Sequence, residues 1–170
     1  QLIFSGLWQV CFTNYHDFTY RYDRIYDGCY WTLDEEMHVI EEQLRRPFFV
    51  AVQTFYTFCF ILTLISALIV GFLVLCSDGE FERSVLKLAY IDLFASFFCG
   101  FISVIVFGAM GDNRDWMPHW DHNWLGWSFA LAVVGVLLEF VAGVLFWVEH
   151  RIQTRKEKSP MGMYTLEGRI

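Results

Sequence analysis

The sequence is poor in charged residues and in residues that interrupt secondary structure. Only 18% of its 170 residues are Asp, Glu, Lys or Arg, and it contains three prolines. So few prolines, with no Gly/Ser-rich tract, argue against a disordered chain or a flexible linker. Twelve basic residues stand against 19 acidic ones, which excludes the concentrated basic face that nucleic-acid binding needs. We therefore predict no nucleic-acid partner.

The sequence also has none of the short motifs that mark common enzymes. It contains no Gly-x-Ser-x-Gly, no His-Glu-x-x-His, no phosphate-binding loop and no Cys-x-x-Cys pair. We expect neither catalysis nor a cofactor. There is no Asn-x-Ser/Thr glycosylation site, so no independent marker shows which segments face the exterior.

What the sequence has in excess is apolar residues, which make up 56% of the chain. They form three runs, each longer than the roughly 20 residues that a helix needs to cross a bilayer. We predict membrane helices at 47–76, 88–110 and 125–148. Pro47 suits the first turn of a helix, because the N–H that proline lacks has no partner there. The polar residues around Gln53 predict that the outer turns of this helix stand above the lipid.

Basic residues beside the predicted spans indicate how the chain is oriented, because Lys and Arg concentrate on the cytoplasmic side. Four lie within ten residues of the third span, and two lie in the loop between the first two spans. We therefore place the loop at 77–87 and the tail at 149–170 in the cytoplasm. Residues 1–46 and 111–124 are predicted to be extracellular.

The five cysteines are unevenly distributed along the chain. Cys59 and Cys99 fall inside predicted spans and Cys76 lies at a cytoplasmic end, so each is a structural thiol or an acylation site. Cys11 and Cys29 are the only two on the predicted outside. An oxidising exterior would join them across a loop of 17 residues, a stabilisation of about 3 kcal/mol by loop-entropy arguments.

The segment before the first span has two different periodicities. Residues 2–31 alternate aromatic or β-branched with polar positions, which predicts strands, and Asp27-Gly28 is a typical turn pair. From 33 to 46 the apolar residues recur at three- and four-residue spacing, which predicts a short helix with Thr32 as its N-cap. The predicted fold is a membrane α-helical bundle that carries a small extracellular antiparallel β-sheet.

Two acidic residues lie inside predicted spans. Glu139 is near the centre of the third span, where an ionised carboxylate costs at least about 3 kcal/mol. We expect it to be protonated or paired, with a helix outside this chain or a hydroxyl such as that of Thr63 or Ser66 as partner. Asp92 is one turn from the cytoplasmic end of its span and is expected to reach the lipid headgroups.

Small and polar residues form a stripe on each of the last two predicted spans. Their spacing of three and four residues places each stripe on one helix face, and such faces contact protein rather than lipid. The stripe of the second span is Asp92, Ser96, Gly100 and Ser103, and that of the third is Gly135, Glu139 and Gly143.

The loop at 111–124 is rich in tryptophan and histidine. A zinc site needs several oriented ligands, and two histidines three residues apart, His119 and His122, are weak evidence for one. We predict no metal and favour an aromatic surface that contacts a neighbouring protomer or an opposing cell. The residues predicted for this interaction are Trp116, His119, Trp120 and Trp124.

The motif Gly6-Leu7-Trp8, followed by Cys11 and, further on, by Cys29, resembles the signature of the first extracellular loop of the claudin superfamily, whose members are four-span junction proteins. Arg45 or Arg46 stands at a position similar to that of the family's arginine before a membrane helix. The resemblance covers the layout of the chain but is specific only over 6–46. It implies a claudin-like four-helix bundle whose first helix and first strand are absent from this chain, leaving three spans.

Details of the motif region resemble one branch of that superfamily more than others. The long loop between Cys11 and Cys29 and its aromatic composition are similar to an invertebrate claudin of insect septate junctions, of the Pasiflora-like kind. The chain lacks the usual Tyr-Val ending, which argues against docking to a PDZ scaffold. Trp8 would lie at the outer leaflet as an interface anchor, or else in the core of the sheet.

The resemblance implies a component of lateral cell-cell junctions in the plasma membrane. Such a protein would contact membrane lipid, itself and other claudin-like or junction proteins, in the same membrane and across the intercellular space, and would obstruct paracellular diffusion. An auxiliary subunit of an ion channel or receptor is the alternative, because channel γ-subunits share the Gly-Leu-Trp motif and the cysteine pair. A small transporter or enzyme that uses Glu139 and Asp92 is a third.

Overall fold

The computed structural model describes five segments of the chain, which are residues 2–16, 25–34, 46–75, 82–111 and 125–158. In these segments three strands come first and three long helices follow. The structure divides into two compact units. The sheet unit comprises Gln1–Thr54 and Ile105–Gly126, and the helix unit comprises Phe55–Val104 and Trp127–Ile170.

The strands form an antiparallel sheet in the order β1 (Leu2–Ser5), β2 (Gln9–His16) and β3 (Ile25–Trp31). Alternate residues of a strand project to opposite faces, so one face of the sheet collects apolar side chains. The buried side chains on that face are Val10, Phe12, Tyr15 and Tyr26. The prediction of a small antiparallel sheet is therefore confirmed.

A bulge interrupts the pairing of β2 with β3. Phe12 is opposite Gly28 and Tyr15 is opposite Tyr26, so β2 contains one residue more than β3 over this stretch. Gly28 has a φ of 112° there, and Asn14 on β2 has a φ of 45°. The prediction that Asp27-Gly28 is a turn is wrong, because the pair lies within β3. Glycine tolerates a positive φ, which is why Asp-Gly pairs are common in turns. Here Gly28 adopts that conformation inside a strand, next to the bulge.

The three helices are α1 (Pro47–Leu75), α2 (Glu82–Met110) and α3 (Trp127–Lys158). Each is long and apolar enough to cross a membrane. The predicted fold class is thus confirmed. Both α2 and α3 extend beyond the apolar runs that predicted them, since helical hydrogen bonding continues into polar sequence.

Several predicted segments lie wholly or largely outside the described residues. They are the short helix at 33–46, the loop at 111–124, Cys76 and the last part of the tail. Thr32, the predicted N-cap, lies in a turn after β3 whose backbone bond joins the Asp34 N–H to the Trp31 carbonyl at 3.1 Å.

Candidate functional site

The Gly-Leu-Trp motif forms the connection between β1 and β2. The Gly6 N–H donates to the Gln9 carbonyl at 2.7 Å and closes a tight turn. A Cβ on Gly6 would lie 3.2 Å from that carbonyl oxygen and 3.3 Å from the Phe4 ring, so the turn favours glycine. Leu7 and Trp8 follow in the turn. Trp8 is 38% exposed, which is too much for a residue of the sheet core.

The cysteines of the motif form the disulfide that the sequence predicts. Cys11 on β2 is directly opposite Cys29 on β3, and a bond joins their sulfur atoms. The Trp8 carbonyl accepts hydrogen bonds from the Thr32 backbone N–H at 3.0 Å and from the Thr32 hydroxyl at 3.3 Å. Covalent and hydrogen bonds together hold the start of β2 against the end of β3.

Gln53 attaches the motif to the first turns of α1. Its side-chain amide donates to the Leu7 carbonyl at 2.7 Å and lies 3.5 Å from the Thr32 hydroxyl. The residue is 7% exposed, so this amide is buried against the sheet. The sequence did not predict this role, because a single glutamine in an apolar helix does not indicate which group its amide will contact.

The arginine of the motif region lies where α1 begins. The Arg46 carbonyl accepts hydrogen bonds from the N–H groups of Phe49 and Val50, at 2.9 and 3.1 Å, and Pro47 is the first helical residue. A proline fits there because it has no N–H to leave unpaired. Arg45 lies outside the described residues.

A cluster of polar side chains occupies the helix unit, around Glu139 of α3. The Thr63 hydroxyl donates to one carboxyl oxygen, Oε1, at 2.5 Å, and the Ser96 hydroxyl donates to the other, Oε2, at 3.1 Å. The Cys59 sulfur is 3.6 Å from both oxygens. All three helices contribute to this polar cluster. The prediction that a hydroxyl would partner Glu139 is confirmed for Thr63.

Asp92, the other acidic residue within a predicted span, also has a hydroxyl partner. One of its carboxyl oxygens accepts a hydrogen bond at 2.6 Å from the Ser66 hydroxyl, and Ser66 is buried. Asp92 lies ten residues inside α2, which begins at Glu82, and its carboxyl group faces α1. Ser66, which the sequence offered as a partner for Glu139, binds Asp92 instead.

The stripe predicted on the second span lies on the buried face of α2. The residues of α2 that are buried recur at three and four positions and are Leu86, Ala89, Leu93, Ser96, Gly100 and Ser103. A Cβ on Gly100 would come within 2.7 Å of Val136 and 2.9 Å of the Cys59 sulfur. The absence of a side chain at this position allows α2 to approach both neighbouring helices.

The stripe predicted on the third span is only partly buried. Gly143 packs against the Phe94 ring, which a Cβ would meet at 3.4 Å. Gly135 is exposed, and within the described part of the chain nothing lies within 4 Å of the Cβ position. On this part of α3 it is the next residue, Val136, that packs against Gly100 of α2.

A comparison with protein-family models matches residues 1–148 to the family described as PMP-22/EMP/MP20/Claudin tight junction. The chain belongs to the claudin superfamily. The match spans the sheet, the disulfide and most of the three helices, and it confirms the resemblance seen in the Gly-Leu-Trp motif. Comparisons with curated proteins and with solved structures found no match.

As a member of the claudin superfamily, the chain is a claudin-like junction membrane protein. Within the described segments, no group of three or more His, Cys, Asp and Glu side chains could hold a metal ion. The residues predicted to form the aromatic contact surface of this claudin lie outside those segments and are Trp116, His119, Trp120 and Trp124.

Proposed function

We propose that this claudin is a component of septate-type cell-cell junctions, of the Pasiflora-like kind, and that its copies obstruct paracellular diffusion. They would contact one another and other claudin-like or junction proteins, both side by side in one membrane and between cells. The protein would lie in the lateral plasma membrane. Residues 1–46 and 111–124 would be extracellular and the tail cytoplasmic. No catalysis, cofactor or PDZ scaffold enters the proposal.

The observation that carries the proposal is the apolar outer face of the disulfide-bonded sheet. Phe4 pairs with Cys11, and Cys11 pairs with Cys29, so these side chains project to the face opposite the core. Trp31 is two residues beyond Cys29 and shares that face. Its side chain is 65% exposed and that of Phe4 is 49% exposed. Exposed apolar surface of this kind is typical of protein contact sites.

The disulfide supports the proposed sidedness. Disulfides persist in oxidising environments such as the cell exterior and are rare in the cytosol. A sheet held by Cys11 and Cys29 therefore suits the extracellular side of the membrane, where it could meet the same sheet on another protomer or cell.

The proposal is tested in epithelial cells depleted of the protein. Re-expressed tagged protein should outline the lateral borders and restore exclusion of an uncharged paracellular tracer. Trp31→Ser should reach the borders but restore exclusion poorly, because it removes the largest exposed side chain of the outer face. Phe98→Ala, which truncates an exposed apolar residue of α2, is the matched control and should restore it fully.

Full tracer exclusion by the Trp31→Ser protein would contradict the role given to the sheet face. Normal sealing after depletion, together with altered gating of a co-expressed channel, would favour the alternative of an auxiliary subunit of an ion channel or receptor.

A further inference from the structure

The two hydroxyls that bind Glu139 each have a second acceptor within reach. The Thr63 oxygen is 2.5 Å from the carboxyl oxygen Oε1 and 2.8 Å from the backbone carbonyl of Cys59. The Ser96 oxygen is 3.1 Å from Oε2 and 3.0 Å from the same carbonyl. Each hydroxyl has one hydrogen, so at any moment it can donate either to the Glu139 carboxyl group or to the Cys59 carbonyl, but not fully to both.

Because of these alternative acceptors, the carboxyl group of Glu139 can be fully hydrogen-bonded both when it is ionised and when it is neutral. When Glu139 is ionised, its two oxygens accept one hydrogen each from Thr63 and Ser96. When it is neutral, its own O–H donates to one of those two oxygens, and the displaced hydroxyl hydrogen turns to the Cys59 carbonyl. The hydroxyl oxygens of Thr63 and Ser96 are also 3.0 Å apart, so either can donate to the other. Only hydroxyl hydrogens rotate, and no helix has to move.

Among the residues that the structure describes, the partners of the Glu139 carboxyl group are hydroxyls and a thiol. Residues 47–75, 88–110 and 127–148 of the three helices include no Lys, Arg or His. The titratable groups of α1 that interact with Glu139 are Tyr56 and Cys59. Asp92, one turn along α2 from Ser96, has its own hydroxyl partner. Hydroxyl partners with alternative acceptors can hydrogen-bond the carboxyl group in either protonation state, which a permanent ion pair could not do.

We propose that Glu139 is an exchangeable proton-binding site within the helix unit, in which Thr63 and Ser96 reverse their hydrogen bonds as the carboxyl group gains or loses its proton. The site is separate from the sheet face that carries the junction proposal. Proton uptake would change the charge inside the helix unit while the helix packing stays the same.

The test is infrared spectroscopy of the purified full chain in lipid nanodiscs over a range of pH. The carbonyl stretching band of protonated carboxylic acids should grow as the pH falls. A component of that band should disappear in Glu139→Gln, whose amide keeps the size and hydrogen bonding of the side chain. The same component should shift in frequency in Thr63→Val and in Ser96→Ala, since each variant removes one hydroxyl partner. Asp92→Asn is the control and should leave it in place.

Circular dichroism of each variant establishes that its helices are intact before its spectrum is compared. A band that stays constant with pH would overturn the proposal, and so would a titrating band that is unchanged in Glu139→Gln. An unshifted component in both hydroxyl variants would refute the exchange of hydrogen bonds.

Discussion

At the scale of single residues, removing the Thr63 hydroxyl and removing the Glu139 carboxyl group should have unequal effects on the hydrogen bonding of the polar cluster. The Thr63 hydroxyl has the Cys59 carbonyl as a second acceptor, so it keeps a partner if the carboxyl group is removed. Among the described residues, the carboxyl oxygen that accepts from Thr63 is otherwise in contact with the Cys59 sulfur alone, at 3.6 Å, and a thiol is a weak donor. Loss of the hydroxyl therefore leaves a polar atom poorly satisfied, whereas a neutral replacement of the carboxyl group does not.

We predict that Thr63→Val lowers the free energy of unfolding by about 1 kcal/mol, the scale of interhelical hydrogen bonds in membrane proteins. Glu139→Gln should change it by less, because an amide can accept from one hydroxyl and donate to the other. Reversible unfolding of the purified protein in mixed micelles measures both. The control is Thr54→Val, since within the described segments the exposed Thr54 hydroxyl bonds to its own helix, at the Val50 carbonyl, at 2.8 Å. Equal losses at the two threonines would contradict the prediction.

At the scale of elements, α2 is in close contact with both of the other helices. Its buried face narrows to Ser96, Gly100 and Ser103, where small side chains allow near approach. The carboxyl group of α3 and the hydroxyl of α1 meet over this narrow section. The close helix packing and the polar contacts thus occur at the same section of α2. A larger side chain at this section should disturb both.

Gly100→Ala should destabilise the helix unit by about 1–3 kcal/mol, the usual cost of overpacking. The added methyl would meet Val136 and the Cys59 sulfur at less than 3.0 Å, and neither is the end of a long flexible side chain. Gly135→Ala is the matched control on α3. It should be neutral or stabilising by up to about 1 kcal/mol, since alanine has the higher helix propensity and the position is open. Thermal unfolding in detergent compares the two, and the opposite order would show that α2 and α3 are not this close.

A second link between elements is the amide of Gln53. Gln53→Met keeps the length of the side chain but removes the bond to the Leu7 carbonyl, so the turn between β1 and β2 should loosen. We expect a loss of about 1 kcal/mol in local stability, seen as faster hydrogen exchange of the Gly6 amide. Gln9→Met, at an exposed position of β2, should leave that rate unchanged. Unaltered exchange in Gln53→Met would mean that the sheet holds this turn without the helix.

At the scale of the whole molecule, the described strands of the sheet enclose a small cluster of buried side chains. This cluster has four side chains among the described residues, and a cluster of that size stabilises little by itself. The disulfide restricts the unfolded chain, and loop-entropy arguments assign this about 3 kcal/mol. The stability of the sheet, and with it the passage of the protein through the secretory pathway, should therefore depend on the bond between Cys11 and Cys29.

We predict that Cys11→Ser abolishes delivery to the cell surface, as measured by surface biotinylation. The double variant Cys11→Ser/Cys29→Ser should behave in the same way, which separates loss of the bond from the presence of a free thiol. Cys99→Ser is the control, because Cys99 is a free cysteine of α2 and its replacement should not affect delivery. Normal surface levels of the double variant would show that the sheet folds without its disulfide.

The sequence by itself determined the class of fold and the covalent link. Runs of apolar residues longer than a bilayer crossing have few stable forms besides membrane helices, and alternating aromatic residues before them favour strands. The pairing of Cys11 with Cys29 followed because the other cysteines lie in or beside the apolar runs. The Gly6-Leu7-Trp8 motif indicated the superfamily, since its residues are adjacent in the chain and need no tertiary contact to be recognised.

The tertiary structure alone decided which side chains meet. Thr63 and Ser66 lie three residues apart on one face of α1, and local spacing gave no reason for the first to bind Glu139 and the second Asp92. The exposure of Gly135 was equally hidden from the sequence. The physical reason is that periodicity specifies which residues share a helix face, whereas the rotation of that helix and its height against its neighbours are set by packing with distant parts of the chain.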